Sequence, residues 1–482
     1  MASVIVVVFD GLQPKQVTSQ LMPNLAAFAR EGVAFTKHHP VYPTVTRTGV
    51  ASIVTGCYPG RHGLAGNTFV ARDFDPERAI DAMMPELSEV VSKTGRLLLV
   101  PALGEILASH DQEYDVISVG TTGNAYVHNV TADVLGGVVI HPEFCLPANL
   151  SQKIAQQFGR WPVKTMPDGP RMNKAVQILT EYIVAERRPA VSLIWFSEPD
   201  SSQHASGVGS RSSEQALGTA DAAFGLLLEW LGNQGRAADT DILVTSDHGY
   251  STIRESVDIK SAIQNSYLGA EISDNAIIVV PIGGSVLFYV RDKNVLIAEK
   301  LAVWLMSQPW CGPILASNAV SGITGTIAAS VVGNEGDRAP DLIMSFAWDS
   351  AVNEEGFTGF SYSSSGAAGQ GQHGSMSSSE LNNVLFARGP NFKNKCYVDI
   401  PTGNIDITPT ILHILGIPQL EGMDGRVLYE GLHSGEAPDP KSIHTEVIKA
   451  ERSIEEGIFR QEISVTRVNS SYYIDSGKAS LD

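Results

Sequence analysis

The stretch Tyr42–Asn67, YPTVTRTGVASIVTGCYPGRHGLAGN, combines the start of a short helix with a candidate nucleophile. Pro43 and several threonines precede an apolar run that ends at Gly56, which is a start-and-stop pattern for a helix. The N-terminus of a helix favours a bound anion. The hydroxyl of Thr46 at that position could therefore attack a phosphorus atom if something deprotonates it. A threonine before a helix is usually only a cap, so the activating groups must come from elsewhere in the chain.

Length and composition limit the class of protein. With 482 residues the chain can form one large α/β domain with insertions, or two to three ordinary domains. A hydrophobic content of 43% and a charged content of 18% describe a soluble globular protein with a sizeable core. The net charge of −18 argues against a nucleic acid polymer or an anionic membrane as partner. A small anionic substrate remains compatible because a local metal site can reverse the field.

The cysteines and the N-terminus suggest the compartment. Four cysteines lie far apart without a CxxC pair, as expected for reduced structural thiols: Cys57, Cys145, Cys311 and Cys396. The chain passes from Met1 almost directly into the apolar run Val4–Phe9, without a basic leader. This run is too short and too β-branched for a signal peptide or a membrane span. We therefore expect a cytoplasmic protein.

Apolar strands alternate with amphipathic helices along the chain. The continuous β-branched run Val4–Phe9 is typical of a parallel strand buried on both faces. Similar runs occur at 190–196 and 241–245, and helices are predicted at 172–186 and 214–231. This alternation predicts an α/β fold with a mostly parallel central sheet and helices on both faces.

The sequence pattern also suggests a domain organisation. We assign residues 1–430 to one catalytic domain. Within it, the sequence pattern changes over residues 69–172. Strands are expected there at about 96–100, 115–119 and 137–140, between loops that contain Gly and Pro. We interpret this region as further sheet strands plus an inserted smaller cap that could cover the site. Residues 431–482 are predicted to form a peripheral helix and strand.

Three of the apolar strands are followed by an aspartate. Asp10 follows the first strand directly, and Asp200 and Asp247 follow the strands at 190–196 and 241–245. The carboxyl ends of parallel strands share one edge of a sheet, where α/β proteins bind their ligands. A single aspartate after a strand is usually a cap or turn residue, but three of them at one edge favour a shared site.

Three histidines extend this carboxylate group. His204 lies four residues after an aspartate, so the two side chains point the same way on a helix. His248 follows an aspartate directly, and His373 lies in the Gly/Ser-rich stretch 361–374. Three Asp and three His suit two zinc-type cations. Two dications against three carboxylates leave about +1, which an alkoxide at Thr46 would neutralise. A metal lowers the pKa of bound water from 15.7 to roughly 7, and similar polarisation would activate the Thr hydroxyl.

Together these segments resemble the alkaline phosphatase superfamily, and most of all its nucleotide pyrophosphatase/phosphodiesterase branch. The resemblance covers roughly residues 3–420. It rests on six segments: FDG at Phe9, YPTVT at Tyr42, SIVTGCYPGRHG at Ser52, EPDSSQHASG at Glu198, TSDHG at Thr245 and QHGS at Gln372.

The resemblance implies an alkaline-phosphatase-like fold and a two-zinc hydrolase of phosphodiester or pyrophosphate bonds. Thr46 would be the nucleophile, and a phospho-threonine intermediate would then be hydrolysed. Asn67 and the backbone N–H of Arg47 would hold a non-bridging phosphate oxygen. The implied ligands are Asp200, His204 and His373 for one zinc, and Asp10, Asp247 and His248 with the Thr46 oxygen for the other.

Arg47 departs from the family pattern. In nucleotide-cleaving members an aromatic residue follows the nucleophile and stacks on the base, a contact worth ~1–3 kcal/mol. An arginine there suggests instead a second anionic group on the substrate. The alternatives are that Arg47 points into solvent or pairs with an acidic residue of the insertion.

Several functions remain open at this stage. The same site would suit a phosphonate hydrolase that resembles phosphonoacetate hydrolase, a phosphomonoesterase, or a mutase that moves phosphate within a sugar phosphate. A non-catalytic binding protein would normally have lost ligands, whereas all six and the threonine are present. The negative net charge disfavours a polymer nuclease. The sequence leaves open whether the chain forms a homo-oligomer.

Overall fold

Buried β-branched strands form the centre of the fold. The structure is a computed structural model that describes residues 3–482. Its strands are β1 Ser3–Phe9, β2 Val33–His39, β3 Thr68–Phe69, β4 Ile80–Asp81, β5 Tyr114–Ser118, β6 Val138–Ile140, β7 Cys145–Leu146, β8 Val191–Phe196, β9 Thr240–Thr245, β10 Ser251–Ser256, β11 Ile277–Ile282, β12 Ser285–Val290, β13 Cys311–Ala316, β14 Ile327–Ala328, β15 Leu342–Phe346, β16 Trp348–Val352, β17 Thr358–Ser363, β18 Gly371–Gln372, β19 Asn383–Arg388, β20 Cys396–Val398, β21 Thr402–Gly403, β22 Ile443–Ile454, β23 Gly457–Val468 and β24 Ser471–Leu481.

The α-helices connect and cover these strands. They are α1 Pro23–Glu31, α2 Thr46–Thr55, α3 Pro59–His62, α4 Met84–Thr94, α5 Leu103–Ala108, α6 Thr122–His128, α7 Ala132–Leu135, α8 Leu150–Phe158, α9 Gly169–Ile178, α10 Asp200–Ser206, α11 Arg211–Asn233, α12 Ile259–Gln264, α13 Gly269–Ser273, α14 Val295–Met306 and α15 Ile407–Ile414. Helix α9 continues to Arg187 in wider π-type turns.

The central sheet is ten-stranded and mostly parallel. Its order is β20-β2-β19-β9-β1-β8-β5-β6-β7, with β21 also paired to β2. Strands β9, β1, β8, β5 and β6 run parallel to one another, while β19 and β7 are antiparallel to their neighbours. The predicted α/β class is therefore confirmed. Because β1, β8 and β9 are adjacent and parallel, the residues that follow them meet at one edge.

Two hydrophobic cores lie on the two faces of this sheet. Successive residues of β1 alternate between them: Val4, Val6 and Val8 enter one core, and Ile5, Val7 and Phe9 enter the other. The first core is completed by residues of α2, α4, α5, α6 and α15, and the second by residues of α1, α8, α9 and α11. Burial on both faces explains why β1 is apolar from Val4 to Phe9 instead of alternating with polar residues.

Smaller sheets surround the central one. Residues 277–346 form the five-stranded sheet β11-β12-β15-β13-β14, which packs with α14 around its own core. The four-stranded sheet β16-β17-β10-β18 brings the segment after β18 to the carboxyl edge of the central sheet. Within residues 3–482, no helix is long and apolar enough to cross a membrane.

The structure corrects two local predictions. Residues 96–100 form no strand; the N–H of Leu99 bonds to the carbonyl of His62 in a neighbouring turn. The C-terminal segment contains no helix within 443–481 and instead forms the antiparallel sheet β22-β23-β24. In β23 every second residue from Phe459 to Val465 is buried, which is the period of a strand. The expected strands near 115–119 and 137–140 are present as β5 and β6. The proposed domain boundaries and the role of 69–172 as a cap stay predictions.

Candidate active site

Six carboxylate and imidazole side chains form two clusters at the carboxyl edge of the central sheet. Each cluster offers three ligand atoms that all lie within 4.8 Å of one another. The first contains Asp200, His204 and His373, and the second contains Asp10, Asp247 and His248. The structure thus brings together all six residues that the sequence singled out.

The first cluster is built from one helix and one distant loop. Asp200 is the first residue of α10 and His204 lies one turn later, so His204 Nε2 is 3.3 Å from Asp200 Oδ1. His373 follows β18, and its Nε2 is 3.1 Å from His204 Nε2. Burial raises the pKa of Asp200, but the neighbouring imidazoles outweigh it and hold that pKa well below its usual range. Two imidazole nitrogens and a carboxylate oxygen therefore converge on one point.

The second cluster follows β1 and β9. His248 Nε2 lies 3.1 Å from Asp247 Oδ2 and 3.7 Å from Asp10 Oδ1. The ring of His248 stacks on that of His373 with their centroids 3.7 Å apart, so the two clusters adjoin. Burial, together with the charges of Asp200 and Asp247, raises the pKa of Asp10. The buried carboxylates of Asp10 and Asp247, with Asp200 beside them, therefore favour a bound cation here.

Every histidine of the two clusters is oriented in the same way. Nδ1 of His204 lies 3.1 Å from the carbonyl oxygen of Gly371, Nδ1 of His248 lies 3.0 Å from that of Gly249, and Nδ1 of His373 lies 2.8 Å from that of Thr44. Because a carbonyl oxygen can only accept, each Nδ1 must donate. The lone pair of a neutral ring then lies on Nε2, and this arrangement is the one that metal-binding histidines adopt.

Two buried carboxylate oxygens complete the evidence for a cation site. Asp10 Oδ1 and Asp247 Oδ2 are buried and have no hydrogen-bonding partner in the described part of the chain. An unpaired buried oxygen of this kind is costly unless a ligand satisfies it. The oxygen and imidazole donors suit zinc or a similar divalent ion. The residues present therefore fit two divalent cations.

Thr46 lies beside the second cluster. It is the first residue of α2, it is 6% exposed, and its Oγ1 is 3.4 Å from His248 Nε2. Val45 is the N-cap residue and no side chain caps the first turn. The Thr46 hydroxyl is therefore not a helix cap, and the alternative left open by the sequence is not realised.

Gly49 allows α2 to lie close to the second cluster. A Cβ at this position would be 3.1 Å from Asp247 Cβ and 3.2 Å from the Asp247 carbonyl oxygen. Glycine inside a helix costs about 0.5–1 kcal/mol relative to alanine. The close approach to Asp247 gives this glycine a structural reason, because a side chain here would require α2 or Asp247 to shift by a few tenths of an ångström.

Asn67 and Arg47 lie next to Thr46, as expected. Asn67 Oδ1 accepts a hydrogen bond from the backbone N–H of Arg47 at 3.0 Å. The side chain of Arg47 is 9% exposed, and its Nη2 contacts Met83 Sδ at 3.2 Å. The alternative in which Arg47 points into solvent is therefore wrong.

Three residues that sequence analysis missed hold the aspartates. Trp195 Nε1 donates to Asp10 Oδ2 at 3.1 Å, and the hydroxyl of Tyr250 donates to Asp200 Oδ1 at 2.6 Å. Asn404 Nδ2 donates to the backbone oxygen of Asp247 at 2.9 Å. Only Tyr250 had a sequence signal, since it directly follows the TSDHG segment.

Glu380 was also missed, and it connects three loops of the site. Its Oε2 accepts from Thr44 Oγ1 at 2.9 Å and from the N–H of Ser375 at 2.6 Å. Its Oε1 accepts from Ser375 Oγ at 2.6 Å and from Gln372 Nε2 at 3.1 Å. Its backbone oxygen accepts from the N–H of Gly249 at 2.8 Å. The segments that precede Thr46, flank His373 and follow His248 are thus joined through one buried carboxylate.

We expect Glu380→Gln to weaken zinc binding at the first cluster by about 10- to 100-fold, which is typical when a residue that orients a ligand is lost. The glutamine amide would put an N–H₂ group in the place of one carboxylate oxygen. That group would then face N–H and O–H donors of the loops, so the loop that carries His373 would shift. Zinc affinity measured by competition with a chromophoric chelator checks this result.

Asp221→Asn is the matched control. Asp221 is also a buried carboxylate, but it accepts from Asn24 and from the N–H of Leu25 in α1. In this variant the free energy of unfolding should fall by about 1–3 kcal/mol, while the zinc affinity should stay that of the unmodified chain. If Glu380→Gln also kept that affinity, the positioning role of Glu380 would be wrong.

Comparisons with known proteins place this geometry in a family. Residues 4–374 match the model of the type I phosphodiesterase/nucleotide pyrophosphatase family. Ectonucleotide pyrophosphatase/phosphodiesterase family member 3 of Mus musculus is 25% identical over 248 residues, which is 51% of this chain and 24% of that protein. The Rattus norvegicus counterpart is 26% identical over 251 residues, again 51% of this chain and 24% of that protein. The match thus spans about a quarter of the length of these relatives.

Solved structures show the same fold. Murine ectonucleotide pyrophosphatase/phosphodiesterase 5 superposes with a TM-score of 0.61 at 16% identity, over 87% of this chain and 96% of that chain. An inactive variant of that protein in complex with AMP gives the same TM-score at 15% identity and the same coverage.

Proposed function

Because the chain belongs to the type I phosphodiesterase/nucleotide pyrophosphatase family, we propose that it is a metal-dependent hydrolase of phosphodiester or pyrophosphate bonds with Thr46 as nucleophile. The observation that carries the proposal is the position of the Thr46 hydroxyl. It lies at the start of α2, uncommitted to capping, and 3.4 Å from a nitrogen of the second cluster. A hydroxyl in this place can meet an anionic phosphorus centre drawn to the helix N-terminus.

We propose two divalent ions, Zn²⁺ in each case, as cofactors. One would be held by Asp200, His204 and His373, and the other by Asp10, Asp247 and His248. When bound, such a pair would stabilise the negative charge on the attacking and leaving oxygens of an in-line displacement. The backbone carbonyls that fix the three Nδ1–H groups would keep the ligand nitrogens oriented.

The residues of the chain then have distinct roles. The Thr46 oxygen forms a bond to phosphorus as the bond to the leaving group breaks, and its proton passes through solvent to the departing oxygen, which gives a phospho-threonine. Water subsequently cleaves that ester and regenerates the hydroxyl. Asn67 and the N–H of Arg47, which now bond to each other, would hold a non-bridging oxygen. A bound phosphate oxygen would replace Asn67 Oδ1 as the acceptor of the Arg47 N–H, while Asn67 Nδ2 would donate to it.

The substrate we propose is a small anionic phosphate compound and not a nucleic acid polymer. The murine structure in complex with AMP makes a nucleotide one candidate. The arginine after the nucleophile favours instead a substrate with a further negative charge. A carboxylated phosphonate or a phosphomonoester is therefore the second candidate for the same site.

A hydrolysis panel with metal-quantified protein tests the proposal. It compares bis-p-nitrophenyl phosphate, thymidine monophosphate p-nitrophenyl ester, p-nitrophenyl phosphate and phosphonoacetate. We expect the diesters to be cleaved fastest. Cleavage confined to the monoester or to phosphonoacetate would replace the phosphodiesterase proposal by the second candidate. No turnover of any of them by protein with two ions bound would favour the non-catalytic alternative, and a stable phosphate on Thr46 as isolated would favour a mutase.

A further inference from the structure

The guanidinium of Arg47 is a buried cation without an ionic partner. The residue is 9% exposed, and its Nε has no hydrogen-bonding partner among residues 3–482. Its side chain forms one polar contact, from Nη2 to Met83 Sδ at 3.2 Å. A thioether sulfur is a weak acceptor, so this contact compensates little of the cost of burying the charge.

The other buried arginine of this part of the fold shows what a satisfied guanidinium looks like. Arg338 is 1% exposed, and both its Nε and its Nη2 donate to the carboxylate of Asp73, at 2.7 and 2.6 Å. Its Nη1 donates to the carbonyl oxygen of Leu97. Arg47 has none of these partners, so its environment is incomplete in a way that the environment of Arg338 is not.

Four carboxylates face Arg47 without pairing with it. Asp10, Asp81, Asp200 and Asp247 all favour its charged form, while burial lowers its pKa. In the described residues, none of the four lies within 4.0 Å of a guanidinium nitrogen. Pairing with an acidic residue of the insertion, for which Asp81 is the candidate, is therefore not observed. Three of the four belong to the clusters, where bound cations would balance their negative charge.

The charge of the site then calls for an anion. With the Thr46 alkoxide included, two dications and three carboxylates sum to about zero, and Arg47 makes the site about +1. The guanidinium is therefore the charge at this site that no carboxylate pairs with in the described residues. The planar fork of an arginine matches a carboxylate or a phosphate group in a bidentate manner.

We propose that Arg47 binds a second anionic group, a carboxylate or a phosphate, on the part of the substrate that remains attached to phosphorus after the leaving group departs. In an in-line displacement the leaving oxygen lies opposite the attacking one. Arg47 directly follows Thr46 in α2, so its side chain starts next to the attacking residue and not at the leaving group. The inference rests on the proposed phosphodiesterase function and specifies its substrate class as doubly charged phosphodiesters.

The test uses two diesters of the same shape that differ in one charge: 2-carboxyethyl p-nitrophenyl phosphate and 2-carbamoylethyl p-nitrophenyl phosphate. We expect the unmodified chain to prefer the carboxylate in kcat/KM by about 10- to 100-fold, as expected for a charged hydrogen bond. In Arg47→Gln and Arg47→Met this ratio should fall to near one. Two replacements of different polarity are used so that a folding defect in one does not decide the result.

Arg338→Gln is the matched control, because it also removes a buried guanidinium. It should lower the thermal unfolding midpoint and keep the ratio of the unmodified chain. A ratio near one in the unmodified chain, or an unchanged ratio in the folded Arg47 variants, would overturn the inference.

Binding measurements distinguish a failure of this inference from a failure of the proposed function. In the Thr46→Ala background, isothermal titration calorimetry measures the affinity for both diesters without turnover. The inference predicts that the carboxylate diester binds more tightly than the carbamoyl diester, and that adding Arg47→Gln removes this difference. That result would support the inference even if the unmodified chain hydrolyses neither diester. Hydrolysis of both diesters with no charge preference in rate or affinity would overturn the inference and leave the phosphodiesterase function in place.

Discussion

Thr46→Ala is expected to reduce kcat/KM for bis-p-nitrophenyl phosphate by about 10³-fold or more while both metal sites stay filled. Loss of a nucleophile removes the covalent route entirely, and the remaining rate reflects binding and charge stabilisation alone. Thr46 Oγ1 lies at the second cluster, 3.4 Å from His248 Nε2, but it is not one of the six Asp and His ligand atoms. The loss in rate should therefore not be accompanied by loss of metal, measured by mass spectrometry of the bound ions.

Thr48→Ala is the matched control on the same helix. Thr48 is fully buried, and its hydroxyl has no partner in the described chain. Residues two apart on a helix do not share a face, so this hydroxyl is turned away from the one at Thr46. Thr48→Ala should keep most of the activity, and Thr46→Ser should keep more than Thr46→Ala. A Thr46→Ala variant with a tenth or more of the original rate would exclude Thr46 as nucleophile.

Removal of the divalent ions is the second change for which we expect a large loss of activity. A chelator is expected to abolish hydrolysis and to lower the thermal unfolding midpoint, and added Zn²⁺ should restore both. The two clusters hold three carboxylates, and the buried oxygens Asp10 Oδ1 and Asp247 Oδ2 have no hydrogen-bonding partner in the described residues, so bound cations would satisfy them. A site held at about 1,000 times its Kd contributes about 4 kcal/mol to the free energy of unfolding. Calorimetry of the stripped and the reloaded protein measures this difference.

Two histidine variants show whether the ions bind where we propose. His204→Ala should remove one of two zinc ions per chain, because His204 Nε2 belongs to the first cluster. His110→Ala should remove none, since His110 hydrogen-bonds to Ser109 and to the carbonyl oxygen of Ile106, outside both clusters. Stripped protein with an unchanged rate and an unchanged midpoint would contradict the two-ion account.

Strand ends made much of the site predictable. The runs that became β1, β8 and β9 are mostly apolar, and each is followed by an aspartate. For parallel strands this fixes the edge at which Asp10, Asp200 and Asp247 meet, without knowledge of the tertiary contacts. The i,i+4 spacing to His204 likewise needs only one turn of helix, which α10 supplies.

Residues that support the ligands from far along the chain were not predictable in this way. Trp195 lies inside β8 and looks like any core residue of an apolar strand, although its ring nitrogen reaches Asp10. Glu380 lies in a serine-rich turn with no periodicity, and its role depends on three loops that only the fold brings together.

The C-terminal segment was mispredicted for a similar reason. Residues 443–456 contain four Glu with one Lys, one Ala and one Arg, which favour a helix when they are judged locally. Pairing of β22, β23 and β24 over eleven to twelve residues overrides this preference, because alternate side chains of β23 then become buried. Such non-local pairing leaves little trace in a short window of sequence.

The stereochemical course at phosphorus tests the central claim most directly. A single enantiomer of p-nitrophenyl phenylphosphonothioate, hydrolysed in ¹⁸O-labelled water, reports whether the configuration at phosphorus is kept or inverted. Attack by Thr46 followed by attack by water is two in-line displacements, so the account predicts net retention. Net inversion would mean that water displaces the leaving group in one step, and it would contradict a covalent phospho-threonine on this chain.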